Sequence, residues 1–503
     1  MRLESSDFAP RGDFIAGRFA LPERVAGEIA LEDPGDTRAT LGSFPFGADS
    51  CERAVEAARA AFPTWRDATP ETRAALLRRF GDALRTDAER LARVIATEVG
   101  KPVWEARTEV QAMLAKIDIT LTQGLELVAE REFALAKGQV GRWRASARGV
   151  LAVLGPFNFP GHLVHGHVVP ALATGNCVVV KPSEQTPATG QLYAELAQRA
   201  GFPPGVVNVV QGDGSIGAAL AAHRGIDGVL FTGSWAVGRR ILEANLDQPW
   251  KLVALELGGK NGMLVCADAD LDAAAAAIAF GACVTSGQRC SATSRVFAAR
   301  AIADALCEKL AQLFAGIAIG HSSDEGAFMG PLVSRAARER HARVLALAAV
   351  DGAQPLVAGG PCDGPRAGHY VRPSLHRLRA HDRASRYQSE EHFLPDAFVL
   401  AVDSDDEGLA LLDATDYGLV ASLFTRERAT YERAARTLRV GALNWNAATV
   451  GASSRLPFGG VKRSGNDRPA GAMSTLYCTF PQANLEHEQA PAPAVWPGFP
   501  RLA

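Results

Sequence analysis

The 503-residue chain sets 53 Lys and Arg against 55 Asp and Glu, a net charge of -2 at pH 7, with 47% hydrophobic and 21% charged residues. That balance describes a globular protein of two or three domains and gives no electrostatic basis for binding nucleic acid or an anionic membrane. No apolar run reaches about 18 residues, and none follows Arg2, so neither a membrane span nor a secretory signal is expected. Eight cysteines at positions 51, 177, 266, 283, 290, 307, 362 and 478 lack paired spacing. This points away from a disulfide framework or metal knuckle and toward a reducing, cytoplasmic compartment.

Three long helical patterns come first, at about 51–64, 70–99 and 103–128, with apolar residues three and four apart. Residues 129–149 break the pattern and read as a hairpin or extended excursion. From 150 the period changes. Short apolar runs at 150–154, 177–181, 206–210, 228–231 and 252–257 alternate with helical stretches near 161–174, 188–200, 215–223 and 235–245. That alternation predicts βαβ units and a parallel sheet, with ligands at the strands' carboxyl ends. A second alternating set begins at 262–266 and runs to about 460, consistent with a separate α/β domain. The end, 489–503, is rich in Pro and Ala and is expected to wrap a surface.

The informative loops follow those strands, at 155–160, 181–186, 212–217 and 232–238, and the reactive thiol and carboxyl lie further along the chain. Cys290 closes Gly287-Gln288-Arg289-Cys290, and Glu256 sits in Glu256-Leu257-Gly258-Gly259-Lys260. A thiol and a carboxylate base can oxidise an aldehyde through a covalent thioester, although a lone Cys more often packs as a small hydrophobe. Asn158, in Phe157-Asn158-Phe159-Pro160, offers a side-chain amide to a developing oxyanion or serves as a turn residue. Lys181, Ser183 and Glu184 follow a strand, where the lysine and glutamate could bond the hydroxyls of an adenosine ribose or form a solvated turn. Thr232-Gly233-Ser234-Trp235-Ala236-Val237-Gly238 places small residues at a helix N-terminus, a natural diphosphate cradle or an ordinary cap. Gly212-x-Gly214-x-x-Gly217 matches a dinucleotide fingerprint, but no acid follows at the expected distance, which favours a tight strand-to-helix turn. His162, His165 and His167 lack a carboxylate partner and are expected to pack or hydrogen-bond locally rather than bind metal.

In order along the chain, Phe-Asn-Phe-Pro, Lys-Pro-Ser-Glu, Phe-Thr-Gly-Ser, Glu-Leu-Gly-Gly-Lys, Gly-Gln-Arg-Cys and Pro457-Phe458-Gly459-Gly460 resemble the NAD(P)-dependent aldehyde dehydrogenase superfamily. The resemblance implies two Rossmann-like α/β domains with parallel sheets plus a small β oligomerisation element. It places an NAD-binding domain at 1–128 and 148–258, a catalytic domain at 259–460, and an oligomerisation element at 129–147 and 461–503. It implies that Cys290 is the nucleophile, Glu256 the general base and Asn158 an oxyanion donor. Lys181, Ser183 and Glu184 would meet the adenosine ribose, Gly233 to Gly238 the diphosphate, and Glu391 and Phe393 the nicotinamide side. Glu184 would repel a 2′-phosphate, favouring NAD.

A finer resemblance, to succinylglutamate-semialdehyde dehydrogenases, is carried by Lys101-Pro102-Val103-Trp104-Glu105-Ala106, Thr108-Glu109-Val110, Gly161-His162-Leu163, Asn444-Trp445-Asn446 and Ser464-Gly465-Asn466-Asp467-Arg468-Pro469. It implies an anionic aldehyde substrate from arginine breakdown, with Arg455 and Arg468 as candidate carboxylate anchors or plain surface arginines. A homodimer or dimer of dimers is expected. The alternatives are another anionic semialdehyde, such as that of succinate or glutamate, thiolysis by coenzyme A, or a catalytically silent NAD-binding protein. Leu394, Asp396, Asp467 and Gly262 depart from the family pattern; they touch the nicotinamide-side loop and substrate choice, not the nucleophile or the base.

Overall fold

The computed structural model describes residues 3–135, 139–466, 470–487, 489 and 496–500. The first fifty residues, for which the helical reading offered nothing, form four strands: β1 (Asp13–Ile15), β2 (Arg18–Ala20), β3 (Val25–Asp33) and β4 (Asp36–Gly47). Helices Ser50–Asp67, Pro70–Thr86, Ala88–Val99 and Val103–Ile119 follow. The expected helix at 70–99 is therefore two, divided at Asp87, whose φ of -102° and ψ of 17° leave the helical region. Gly100 ends the second of them at φ +83°, a left-handed cap that costs glycine little.

The excursion is a hairpin, β5 (Arg131–Ala134) and β6 (Gln139–Ala147). Then come β7 (Val150–Leu154), β8 (Cys177–Lys181), β9 (Val207–Val209), β10 (Gly228–Gly233) and β11 (Leu252–Leu257), alternating with helices His162–Ala173, Pro187–Ala200, Gly214–Ala222 and Trp235–Ala244. Every residue of β7 and β8 is buried, as expected for strands covered on both faces. The sheet order is β11-β10-β7-β8-β9-β1-β2. The five strands from β11 to β9 are parallel, while β1 pairs antiparallel with β9 and β2, so the sheet is mixed at one edge. Winding proceeds from β7 toward β9 and then reverses to β10. The crevice between the ends of β7 and β10 is thus a topological switch point.

The next strands are β12 (Asn261–Val265), β13 (Thr293–Ala299), β14 (Gln354–Pro361), β15 (Val371–Leu378), β16 (Asp396–Val402), β17 (Tyr417–Gly418), β18 (Val420–Phe424) and β19 (Ala442–Trp445), and all but β17 form the second sheet. Its order is β14-β15-β16-β13-β12-β18-β19, parallel except for the β14–β15 edge. Three short strands follow, β20 (Pro457–Phe458), β21 (Val461–Lys462) and β22 (Ala470–Gly471). The last, β23 (Thr479–His487), runs antiparallel along β6 from Thr479 opposite Ala147 to His487 opposite Gln139. Residues 479–487 therefore join the hairpin as a three-stranded sheet.

Candidate active site

A cleft of about 710 Å³ opens at the carboxyl ends of the first sheet. The segments after β7, β8, β10 and β11 line it, together with Cys290 and the loop that holds Glu391 and Phe393. It thus unites loops from both sheets.

Cys290 is half-buried and carries a free thiol. Its backbone carbonyl accepts a 2.8 Å hydrogen bond from the Asn261 amide. The approach to it is unusual: Thr285, Ser286 and Gly287 all have positive φ, +55°, +53° and +67°. For two non-glycine residues that conformation is strained, and such strain persists only where surroundings enforce it. A Cβ on Gly287 would lie 2.2 Å from the Leu394 carbonyl, so only glycine fits against the 393–395 loop. Burial pushes the Cys290 thiol well above its ordinary range; the Glu256 and Glu391 carboxyls add to this, and the Arg289 guanidinium opposes it.

Glu256 is 1% exposed, and neither carboxyl oxygen has a hydrogen-bond partner. Burial raises its pKa well above the usual carboxylate value. A buried, unsatisfied carboxyl costs stability, and its position beside a thiol in a cleft marks it for chemistry. It sits on β11 opposite Thr232 of β10. On β11's other edge, Leu257 N–H donates to Ser464 O at 3.0 Å and Asn466 N–H to Leu255 O at 3.1 Å. The Asn466 side chain accepts from Leu255 N–H at 2.7 Å and donates to Val253 O at 2.9 Å. The Ser464-Gly465-Asn466 stretch thereby serves as an extra edge that fixes Glu256.

Asn158 is 3% exposed, and its amide donates to the Gln288 carbonyl at 2.9 Å, two residues before Cys290. Sequence reasoning brought Asn158, Glu256 and Cys290 together, and the structure places all three along one cleft. It passed over Gln288, which is buried and whose side-chain oxygen accepts from Val333 N–H at 3.1 Å, and Arg340, which lines the cleft.

At the far end Lys181 is 5% exposed, donating to Gly212 O at 2.8 Å with Glu184 at 3.6 Å. Lys181, Ser183, Glu184, Gly233, Ser234 and Val237 all line the cleft. Ser234 caps the helix Trp235–Ala244, accepting from Val237 N–H at 3.4 Å. Helix geometry leaves the first-turn N–H groups without intrahelical acceptors, a favourable place for an anion. Trp235 packs beneath Arg463, 5.8 Å from its ring, and Ala236 is exposed. Gly238 instead lets the helix approach β11, since its Cβ would meet Leu257 at 2.9 Å. Gly212 makes a tight turn before the Asp213-capped helix, as expected; Gly214 and Gly217 line the cleft, where a Cβ on Gly214 would meet nothing within 4 Å.

Glu391 accepts from Gly259 N–H at 2.9 Å, and burial pushes its pKa up to about 7 despite that bond and nearby Lys260. Phe393, at φ +60°, meets the Phe157 ring edge-on at 5.8 Å. Leu394, a departure from the family pattern, is buried in an apolar cluster with Tyr387 and Phe398. Asp396, another, is buried, yet the hydrogen bond and charge of His376 overcome burial and hold it at about 2. His165 bonds Tyr193 at 3.0 Å; His167 bonds Tyr477 at 2.8 Å and Thr232 at 3.2 Å. Those histidines are packed and bonded locally. Arg455 is exposed and is not among the cleft-lining residues; Arg468 and Asp467 lie outside the described residues.

The model of the aldehyde dehydrogenase family matches residues 23–482. N-succinylglutamate 5-semialdehyde dehydrogenase of Paraburkholderia xenovorans is 39% identical over 489 residues, 97% of this chain and 99% of that protein. N-succinylglutamate 5-semialdehyde dehydrogenase 1 of Caulobacter vibrioides is 41% identical over 92% of this chain and 97% of its own. Among solved structures, an NAD-dependent aldehyde dehydrogenase from Sinorhizobium meliloti superposes with a TM-score of 0.92 at 31% identity, covering 97% of both chains. An indole-3-acetaldehyde dehydrogenase complexed with NAD+ gives 0.90 at 31%, again over 97% of each. The chain belongs to the aldehyde dehydrogenase family.

Proposed function

We propose that this enzyme oxidises N-succinyl-L-glutamate 5-semialdehyde to the carboxylate with NAD. The observation that carries the chemistry is the shared cleft of a half-buried free thiol, Cys290, and an unpartnered buried carboxyl, Glu256. The substrate follows from the relatives' activity and from nearly full-length similarity to them.

The residues lining the other end fit NAD. Ala218, Val237 and Ile241 form an apolar slot, Lys181 and Glu184 offer a donor and an acceptor to a ribose, and the Gly233-Ser234 turn leads into the N-terminus of a helix. Glu391, carrying a charge once deprotonated, would accept hydroxyls of the second ribose. When bound, NAD supplies the acceptor for the hydride leaving the aldehyde carbon.

The chain's own residues do the rest. Cys290 Sγ, whose proton passes to solvent, forms a bond as thiolate to the carbonyl carbon, and the oxyanion is held by the Asn158 amide. Loss of hydride leaves a thioester on Cys290. Glu256 takes a proton from water, the resulting hydroxide adds to the thioester, and the carbon–sulfur bond breaks to return the thiolate. An acid raised by burial is a stronger base once ionised, which suits it to this proton.

The reading divides the chain as 1–128 and 148–258 for the cofactor, 259–460 for catalysis, and 129–147 with 461–503 for assembly. Supporting the last, Phe133, Leu135, Phe480 and Leu485 are exposed apolar residues on or beside the three-stranded sheet, a surface suited to a second copy. The reading also includes a reducing cytoplasmic setting, supported by eight unpaired cysteines. Among the described residues no helix is long and apolar enough to cross a membrane.

A screen of NADH formation over anionic semialdehydes tests the substrate. The succinylated aldehyde should show the highest kcat/KM, and better turnover of succinate or glutamate semialdehyde would replace it. Cys290→Ala should abolish turnover while NAD still binds.

A further inference from the structure

The helix Val103–Ile119 carries two carboxylates one turn apart, Glu105 and Glu109, both 1% exposed or less. Like charges at this spacing repel, and a buried carboxylate is tolerated only when bonded. Each is bonded, to a different half of the reaction centre.

Glu105 accepts from the Thr285 N–H at 3.1 Å and from the Thr285 hydroxyl. It also accepts from the Arg289 guanidinium at 3.0 Å, and Arg289 Nε donates to the Thr285 oxygen at 2.7 Å. These donors belong to the segment directly before Cys290, where the backbone holds positive φ. One carboxylate therefore grips both ends of the strained turn.

Glu109 accepts from the N–H groups of Gly161 and His162, each at 2.9 Å. These begin the helix His162–Ala173, whose N-cap, Gly161, has no side chain to cap it; the Glu109 carboxylate does so instead. Glu109 also pairs with Lys101 at 2.5 Å, and Lys101 Nζ donates to the Asn158 carbonyl at 2.9 Å. The loop holding Asn158 is thus fixed from its own carbonyl and from the helix that follows.

We propose that Glu105 and Glu109 are paired positioning residues, which set the thiol of Cys290 and the amide of Asn158 against each other from a single rigid helix. This rests on the reading of Cys290 as nucleophile and Asn158 as oxyanion donor. The two carboxylates have separable duties. Glu105 governs how the thiol is presented, and Glu109 governs the oxyanion donor.

The test uses full-length Glu105→Gln, Thr285→Val, Glu109→Gln and Lys101→Gln. It measures the rate of Cys290 alkylation by iodoacetamide, read by peptide mass, together with kcat and NAD binding. A displacement near 1 Å lowers rates by about 100-fold, so kcat should fall at least about tenfold in all four. Alkylation should slow in parallel for Glu105→Gln and Thr285→Val, yet stay within about twofold of wild type for Glu109→Gln and Lys101→Gln. NAD affinity should hold throughout. Wild-type alkylation in Glu105→Gln, or equal slowing in Glu109→Gln, overturns the proposal. Thr285→Val and Lys101→Gln answer for either glutamine variant that does not fold. Should wild-type Cys290 resist alkylation, or Cys290→Ala retain turnover, the nucleophile reading fails instead.

Discussion

The Asn158 amide donates to the carbonyl of Gln288 at 2.9 Å, tying the loop after the first sheet's central strand to the segment that ends in Cys290, 130 residues away in sequence. The proposed oxyanion donor is therefore bonded, before any substrate arrives, to the segment that carries the proposed nucleophile, which would limit the reorganisation needed during reaction.

Replacing Asn158 by Ala removes that bond and the amide together. We expect kcat to fall by about 10²–10³, or about 2.7–4 kcal/mol of transition-state stabilisation, with a smaller change in KM. Steady-state kinetics check it; a change confined to KM would remove Asn158 from the oxyanion site.

Glu256 makes opposite predictions for activity and stability. Its folded pKa is raised by burial above the ordinary 4.5. The folded state thus keeps the proton after the unfolded chain has released it, and stability falls as pH rises above about 4.5 toward the folded pKa. Glu256→Gln removes that loss. The variant should melt higher than wild type at neutral pH, with the advantage shrinking toward pH 4, while acyl-enzyme accumulates on Cys290. Paired thermal scans and intact-protein mass measure both; a wild-type rate without acylation would exclude Glu256 as the base.

Glu391 has its pKa raised to about 7 by burial. Below that pH it is protonated and a poorer acceptor for ribose hydroxyls. The KM for NAD should therefore fall as pH rises through about 7, levelling off when the carboxylate is fully formed. Glu391→Gln should flatten the profile and leave KM high. An unchanged profile in that variant would assign the titration to another group, Lys260 being the neighbour whose own pKa burial lowers to about 7.

Gly287→Ala places a Cβ 2.2 Å from the Leu394 carbonyl at a φ of +67°. A non-glycine residue there costs about 1–3 kcal/mol in backbone strain alone, and the overlap must shift either the 393–395 loop or the nucleophile segment. Both the melting temperature and kcat should drop. Denaturation and kinetics side by side check this, and a neutral outcome would show that the turn relaxes freely.

Legibility in the sequence followed the range of the interactions. The strand runs at 150–154, 177–181 and 252–257 match β7, β8 and β11 residue for residue, because short, mostly apolar runs closed by glycine or proline report burial locally. The strands β1 to β4 were not apparent, β1 and β2 being three residues each at a sheet edge and β3 and β4 a two-stranded ribbon mostly exposed or half-buried. The break at Asp87 was hidden because the apolar period continues through it. The buried carboxylates Glu105 and Glu109 looked like ordinary helix residues, since all the partners named for them but Lys101 are 52 to 184 positions away.

A thiol, a carboxyl and an amide with the types needed for the proposed chemistry, the carboxyl in a predicted strand and the amide in the loop after one, were legible in the sequence alone, because residue type and the strand-to-loop transition are local properties. Tertiary structure decided how those groups are prepared. Dehydration leaves Glu256 without a partner, the turn before Cys290 is held in a left-handed conformation, and one helix grips both loops. Each of these depends on what distant segments press against a residue, and desolvation and strain are set by those neighbours and not by the residue's own identity.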